Sequence, residues 1–547
     1  MSEGVARRRS EVVGRAAASQ DEFVFGLEMV VLLGVALVAC GALARRYPIA
    51  PAILLVLAGV LVGFVPQLRQ AQLPPEVVLL VFLPALLYWE SLTTSLREIR
   101  NNLRVVVLSS TVLVAATAAA VAAAAHALGL AWGPAWVLGA ALAPTDATAV
   151  GVLARDLPRR TVTVLRAESL VNDGTALVLY GLAVGVTVGE QELSPSHVAW
   201  LLAWSYVGGV LAGALVGLLS WQVRRRMDDP MLESIAMLVT PFAAFLLADA
   251  AHASGVLAVV CCGLFMSQVS PRITGAAARQ IMLPFWSLST TVLSSALFVL
   301  VGISVQSAFR DLSSATISRA LVDVLVVTAV VIGVRWAWVY TTPYVIRLLD
   351  RRPAQRLRRV SARQRTVTAV AGFRGAVSLA AVLAVPHTLH SGAPFPDRDL
   401  IVLIACGVIV LTLLQALFLP AVVRFARLPK DTAVDEELQF ADEYSLEAAI
   451  DALDTTANEL GSGDAVVKRV RRELDKQRLL ASAGEGDDPI IEHDDQYRDL
   501  SLALLGRRRD ALLDLRDKQR IDDIVLRRLQ HRLDQEEVRF ARANPLE

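Results

Sequence analysis

Apolar residues fall in long blocks as far as residue 426, and polar residues collect in the short gaps between them. A helix needs about 20 apolar residues to cross the hydrocarbon of a bilayer. Blocks of that order lie at 24–44, 48–65, 75–92, 103–128, 135–154, 161–188, 197–223, 231–252, 254–269, 281–306, 317–346, 366–386 and 399–424. They predict about thirteen transmembrane helices, an all-α polytopic membrane protein. From residue 427 the chain turns charged, with Leu446, Ile450, Leu453 and Leu460, then Leu505, Leu512, Ile524, Leu526, Leu529 and Leu533, recurring at helical spacing. The expected organisation is an N-terminal tail (1–23), a transmembrane domain (24–426) and a cytoplasmic helical C-terminal region (427–547), with 483–489 as a linker inside the last.

Arginines sort the gaps into two classes. Alternate gaps hold Arg45 and Arg46, then Arg97, Arg100 and Arg104, then Arg155, Arg159 and Arg160, then Arg224 to Arg226, then Arg272 and Arg279, and eight arginines from Arg347 to Arg365. The opposite gaps hold Arg69, Arg310, Arg319 and Arg398, a bias of 21 to 4. Positive loops stay in the cytoplasm, so the chain is expected to have an odd number of spans, its N-terminus outside and its C-terminus inside. The basic Arg7 to Arg9 run against this orientation and are outweighed by the sum over the short loops.

Composition excludes a soluble enzyme: 55% of residues are hydrophobic and the mean hydropathy is +0.52. The net charge of +1 hides an asymmetry, since the chain before Pro429 has arginine but no lysine and the remainder is acidic on balance. Cys40, Cys261, Cys262 and Cys406 lie in apolar blocks without zinc or disulfide spacing, and are read as small apolar side chains. The first 20 residues lack an apolar core and a small-residue cleavage site, so no removable signal peptide is expected, and the sequence shows no phosphate-binding glycine loop or zinc-site spacing. No cofactor, nucleotide or nucleic-acid partner is expected; the surroundings are the lipid bilayer.

Three spans carry residues that a plain membrane helix avoids. The sixth holds Glu168, Ser169, Asn172 and Asp173, and carboxylates inside a span are rare unless they face a cavity, a partner charge or an ion path. An ion or proton site is the default reading. The fifth holds Pro144, Thr145, Asp146 and Thr148, and the twelfth holds Gly372, Arg374, Gly375 and Ser378. Both are expected to break, because Pro144 lacks a donor and the glycines tolerate unwound backbone. Grouped as spans 1–6 and 8–13, the breaks occupy the fifth place of each half, the pattern of two inverted repeats whose broken helices cross at mid-membrane.

On Phe82-Leu-Pro84-Ala-Leu-Leu-Tyr88, Pro144-Thr145-Asp146, Glu168-Ser169-Leu-Val-Asn172-Asp173, Ser254-Gly255-Val-Leu-Ala258 and Gly372-Phe-Arg374-Gly375-Ala-Val-Ser378-Leu, in that order, the chain resembles the monovalent cation:proton antiporter family 1, which includes the NhaP-type and eukaryotic sodium/proton exchangers. Ala147 departs from the pattern, where many relatives have proline. The resemblance implies Na⁺ (or Li⁺) exchange for H⁺ across the plasma membrane, K⁺/H⁺ exchange being the nearest alternative. It further implies a homodimer with a moving core that carries the fifth, sixth and twelfth spans. Relatives with Asn-Asp at positions 172–173 are taken as electroneutral, which implies one cation for one proton.

Helical steps place Ser169 and Asp173 on one side, with Glu168 and Asn172 adjoining. The ion-binding and proton-exchange set is expected to be Asp173, Asn172, Ser169, Thr145 and Asp146, with the cation at Asp173, Ser169 and Thr145. A carboxylate must lose its proton to bind a cation, so the two ions compete. Asp146 has two readings, a ligand or a charge that compensates the positive ends of broken half-helices. Thr145 offers its hydroxyl or carbonyl to the cation, or caps a helix. Glu168 needs a cationic partner, Arg335 or Arg374; the resemblance favours Arg335 and leaves Arg374 to hold the negative ends of the broken helices. Both arginines are read as structural, since arginine keeps its proton.

Asp249 and His252 form either a proton relay or a local hydrogen bond; His387 and His390 belong to an external loop. Tyr88, Trp89 and other edge aromatics are read as interface anchors. The C-terminal region is a helical bundle, a dimer contact or a passive tail. More distant alternatives are a cation channel, which would conduct current, and a membrane scaffold, which would not need Asp173.

Overall fold

The computed structural model describes residues 30–47, 50–64, 78–146, 157, 159–189, 195–310, 314–349, 361–428, 433–482 and 489–540. The tail at 1–23, Arg69, Ala147, most of the loop at 347–365 and the linker at 483–488 lie outside the described residues. Two compact units divide the chain, Met1–Lys430 and Asp431–Glu547.

The first unit is helical; among its described residues the only extended pairing is an isolated bridge between Thr388 and Pro394. Eight described helices are long and apolar enough to cross a membrane. In chain order the helices are α1 (30–46), α2 (Pro51–Val62), α3 (Leu83–Thr93), α4 (Leu96–Asn101), α5 (Leu103–Ala127), α6 (Trp132–Leu142), α7 (Arg159–Val188), α8 (Pro195–Arg224), α9 (Pro230–Ala250), α10 (Gly255–Ile273), α11 (Ala276–Arg310), α12 (Ser314–Leu349), α13 (Ala362–Val370), α14 (Ala376–Leu383), α15 (Arg398–Leu414) and α16 (Leu419–Ala426). Pro51 and Pro230 sit in first turns, where the missing N–H has no helical partner to lose. Asp229 caps α9 by accepting from the Met231 and Leu232 N–H groups, and Ser254 caps α10 by accepting from Leu257 N–H.

Two apolar clusters hold the unit together. One gathers α2, α6, α14, α15 and the later part of α11; the other gathers α3, α8, α9, α10 and the early part of α11. Lipid tails provide no hydrophobic drive between helices, so close backbone approach matters. Gly59 on α2 and Gly302 on α11 supply it: a Cβ on Gly59 would strike the Val299 carbonyl, and one on Gly302 the Val56 carbonyl.

The helices depart from the apolar blocks in instructive places. The fourth span carries a wider turn at Ser109–Leu113, where the Ser109, Ser110 and Thr111 hydroxyls bond back to carbonyls one turn earlier. The last span breaks at Gln415–Phe418 before α16. Arg224, grouped by sequence with the loop arginines, is buried at 1% exposure and pairs with the buried Glu233 at 3.1 Å. Tyr88, read as an interface anchor, is fully buried against Trp286, with ring centroids 5.7 Å apart. Cys40, Cys262 and Cys406 are buried and Cys261 half-buried, all as free thiols.

The described residues of the second unit form four helices, α17 (Ala433–Glu459), α18 (Asp464–Ser482), α19 (Pro489–Asp517) and α20 (Asp523–Phe540). They form two hairpins, α17 with α18 and α19 with α20. Exposed ion pairs cross each one, Arg471 with Asp454 in the first and Arg508 with Glu536 in the second.

Candidate functional site

Helix α6 ends, and α13 and α14 are parted, where breaks are expected, and the unwound stretches meet. Helix α6 stops at Leu142, two residues before Pro144, as the lost donor and the restricted residue ahead of it require. Helix α13 stops at Val370, and α14 resumes at Ala376 after Gly372-Phe373-Arg374-Gly375. The Asp146 N–H donates to the Phe373 carbonyl at 2.9 Å, so unwound backbone of one break satisfies the other.

Arg374 fills the junction. It is 2% exposed; its Nε donates to the Leu142 carbonyl at 3.2 Å and its Nη1 to the Gly372 carbonyl at 2.6 Å. Those carbonyls belong to the end of α6 and the stretch just after α13, where the helix dipole leaves negative charge. Asp146, half-buried, lies against Gly375, the residue ahead of α14, and a Cβ there would overlap its carboxylate. The carboxylate therefore stands at the N-terminal end of α14, where a helix dipole favours negative charge.

Helix α7 brings Glu168, Ser169, Asn172 and Asp173 to the junction, all between 2% and 5% exposed. Asn172 Nδ2 donates to Thr145 Oγ1 at 2.8 Å and reaches the Thr145 carbonyl at 3.4 Å. Thr145 Oγ1 in turn points at Glu168 Oε1, 3.5 Å away. The choice of partner for Glu168 falls on Arg335: Nη1 meets Oε1 at 2.6 Å. Arg335 also donates from Nε and Nη2 to the Thr368 carbonyl in α13, at 3.3 and 3.2 Å. Gly372 is needed here because a Cβ would collide with the Arg335 side chain.

Among the described residues, Asn172 Oδ1 is a buried acceptor with no hydrogen-bond donor, and the Asp173 carboxylate, 5% exposed, receives no hydrogen bond. Buried acceptors without donors are costly, and a cation or a proton relieves that cost. The same relief applies between carboxylates, since the charges of Asp146 and Glu90 both bear on Asp173.

Glu90 was not among the residues singled out by sequence. It lies on α3, half-buried, and also faces the charge of Arg166. An acidic residue inside an apolar helix, two after Tyr88, was the available signal. Other expected groups fall outside the cluster. Asp249 and His252 are exposed, and their contact is a backbone turn, the His252 N–H to the Asp249 carbonyl at 2.9 Å. His387 and His390 lie on a short hairpin closed by the 2.7 Å bond from Leu389 N–H to the Ala393 carbonyl.

Comparison with known proteins bears on this arrangement. An uncharacterized Na⁺/H⁺ exchanger of Mycobacterium tuberculosis is 47% identical over 96% of this chain and 98% of its own length. A sodium, potassium, lithium and rubidium/H⁺ antiporter of Bacillus pumilus is 28% identical over 79% of this chain and 66% of its own. The fold is that of the sodium/proton antiporter MjNhaP1 from Methanocaldococcus jannaschii, with a TM-score of 0.54 and 18% identity over 73% of this chain and 99% of that one. The family model described as sodium/hydrogen exchanger, transmembrane, matches residues 32–425. With both breaks and the buried carboxylates of α7 inside the matched region, the chain belongs to the sodium/hydrogen exchanger family.

Proposed function

We propose that this chain exchanges Na⁺ or Li⁺ for H⁺ at Asp173, one ion for one proton, without net charge movement. The observation that carries the reading is a carboxylate 5% exposed at the meeting of two helix breaks, with no donor of its own among the described residues. Na⁺ and H⁺ then compete for the same oxygens. Ser169, one turn earlier, and Thr145 complete the oxygen set, while Asn172 is oriented by Thr145 and adds no titratable group. Glu168 and Arg335 neutralise each other and tie α7 to α12 and α13. Arg374 holds the broken ends, and Asp146 balances the start of α14 from behind the ligands.

Occupation by either ion neutralises Asp173, so the loaded site crosses the membrane and the bare one does not. The reading includes a homodimer in the plasma membrane, N-terminus outside and C-terminus inside, driven by ion gradients and serving pH and sodium homeostasis. K⁺ remains the rival cargo, and the name of the Bacillus pumilus relative, with its four alkali cations, is the reason to test it.

The test is dissipation of a pH gradient in proteoliposomes under clamped voltage, with Na⁺, Li⁺ and K⁺ supplied separately. Saturable, voltage-insensitive proton movement with Na⁺ or Li⁺, lost in Asp173→Asn, supports the proposal. Voltage-driven current overturns it in favour of a channel, and equal activity in the variant removes Asp173 from the mechanism.

A further inference from the structure

The C-terminal unit buries very little of its own apolar surface. Among its described side chains only Ala457, Leu505, Leu526 and Leu533 are buried, and in the α17–α18 hairpin only Ala457. So small a core stabilises two helices weakly, because helices in proteins are held chiefly by packing an apolar face, and the further contact of α18 with α19, Lys476 over the Tyr497 ring at 5.2 Å, buries no other side chain of the hairpin. The hairpin also shows large apolar groups to solvent: Phe440 and Tyr444, stacked at 6.2 Å and 68% and 67% exposed, and Leu479 at 50%. A further surface is needed to cover them.

Charge says which surface. Helix α17 carries nine carboxylates and no basic residue, whereas α18 carries six basic residues and three acidic ones. Phe440, Tyr444, Glu447 and Asp451, at steps of four, three and four, share one face of α17. Lys468, Arg472 and Leu479, at steps of four and seven, share one face of α18. The Asp454–Arg471 ion pair, at 2.7 Å, bridges the helices beside these two rows and sets the register. In that register Tyr444 stands level with Leu479, and Asp451 with Arg472. The same side of the hairpin thus displays an acidic, aromatic row next to a basic, aliphatic one.

We propose that this face docks on the same face of a second copy of the chain, α17 of each copy lying on α18 of the other in a four-helix bundle. Such a contact is self-complementary, as a two-fold interface must be. In the proposed bundle the two-fold axis runs along the hairpin, so residues at equal height meet. Tyr444 then packs on Leu479 of the partner subunit, and Asp451 pairs with Arg472 of the partner subunit. Charge rows at the edges of an apolar seam select the partner and the register, as in coiled coils. This interface lies outside the transport site and does not depend on the exchange reading.

The experiment uses full-length protein in membranes, with two differently tagged copies co-expressed, one carrying Tyr444→Cys and the other Leu479→Cys. Mild oxidation is expected to link most of the mixed pairs through a disulfide. The control pair Ala452→Cys and Val470→Cys, level with each other on the opposite side of the hairpin, is expected to give several-fold less. Asp451→Arg in both copies, or Arg472→Asp in both, should lower the yield several-fold. Combining an Asp451→Arg copy with an Arg472→Asp copy should restore it. Absence of the mixed disulfide, equal yield from the control pair, or failure of the charge swap to restore it overturns the proposal; a hairpin lying on lipid or on another protein gives the first of these. None of the readouts uses transport, so failure of the exchange reading would leave this result unaffected.

Discussion

Glu168→Gln isolates the ion pair behind the site and gives a magnitude that can be worked from geometry. The carboxylate and the Arg335 guanidinium meet at 2.6 Å with side chains 7% and 3% exposed, so solvent screens them little. Removing one member of a buried pair costs roughly 3–5 kcal/mol, because the survivor stays desolvated and unpaired. Arg335 keeps two hydrogen bonds to the Thr368 carbonyl, which argues for the lower end, about 3 kcal/mol. That is about two decades in the unfolding equilibrium. Arg335→Gln should cost a similar amount, while the double variant places two neutral amides together and should cost clearly less than the sum. A double-mutant cycle on unfolding in mixed micelles therefore predicts a coupling of about 2–3 kcal/mol. Additive losses, with coupling under about 0.5 kcal/mol, would refute the claim that these residues act as a neutralised pair.

Three further outcomes follow from single contacts. Gly375→Ala drives a methyl into the Asp146 carboxylate and should abolish transport, whereas Gly181→Ala, on open space, should leave it intact; both are read by the proteoliposome assay. Thr145→Val keeps the side-chain volume but removes the acceptor of the 2.8 Å bond from Asn172. At about 1–3 kcal/mol for a buried amide left with only the longer 3.4 Å bond to the Thr145 carbonyl, the apparent KM for the cation should rise at least several-fold with folding intact; an unchanged KM would contradict this. Glu90→Gln removes one negative charge that bears on Asp173 and should displace the pH profile of exchange, and an identical profile would place Glu90 outside the site.

Much of the site was legible because helical steps are rigid. Glu168, Ser169, Asn172 and Asp173 had to share a region of α7, and Pro144 and the Gly372/Gly375 pair had to interrupt their helices. The breaks lie where those residues put them. Which arginine meets Glu168 was not fixed by spacing, since Arg335 and Arg374 lie on separate helices and only packing decides. Glu90 was missed because one carboxylate near a span end reads like a residue reaching for water. Arg224 was misplaced by its neighbours: a run of three arginines looks like a loop, yet the helix continues to Arg224 and turns it inward to Glu233. Tyr88 was misread for a similar reason, as aromatic position along a span does not tell lipid from core. Turns such as Ser109–Leu113 arise from serine and threonine hydroxyls competing for carbonyls, which leaves the apolar pattern unchanged.

The central claim is competition between a proton and a cation for Asp173. Its most direct measurement is proton release from the purified protein in weakly buffered detergent when NaCl is added, against choline chloride as control. The account predicts about one proton released per protomer at saturation, an apparent Na⁺ affinity that weakens as pH falls, and no release from Asp173→Asn. Undiminished release from that variant, or Na⁺ binding without proton release at any pH, would contradict it.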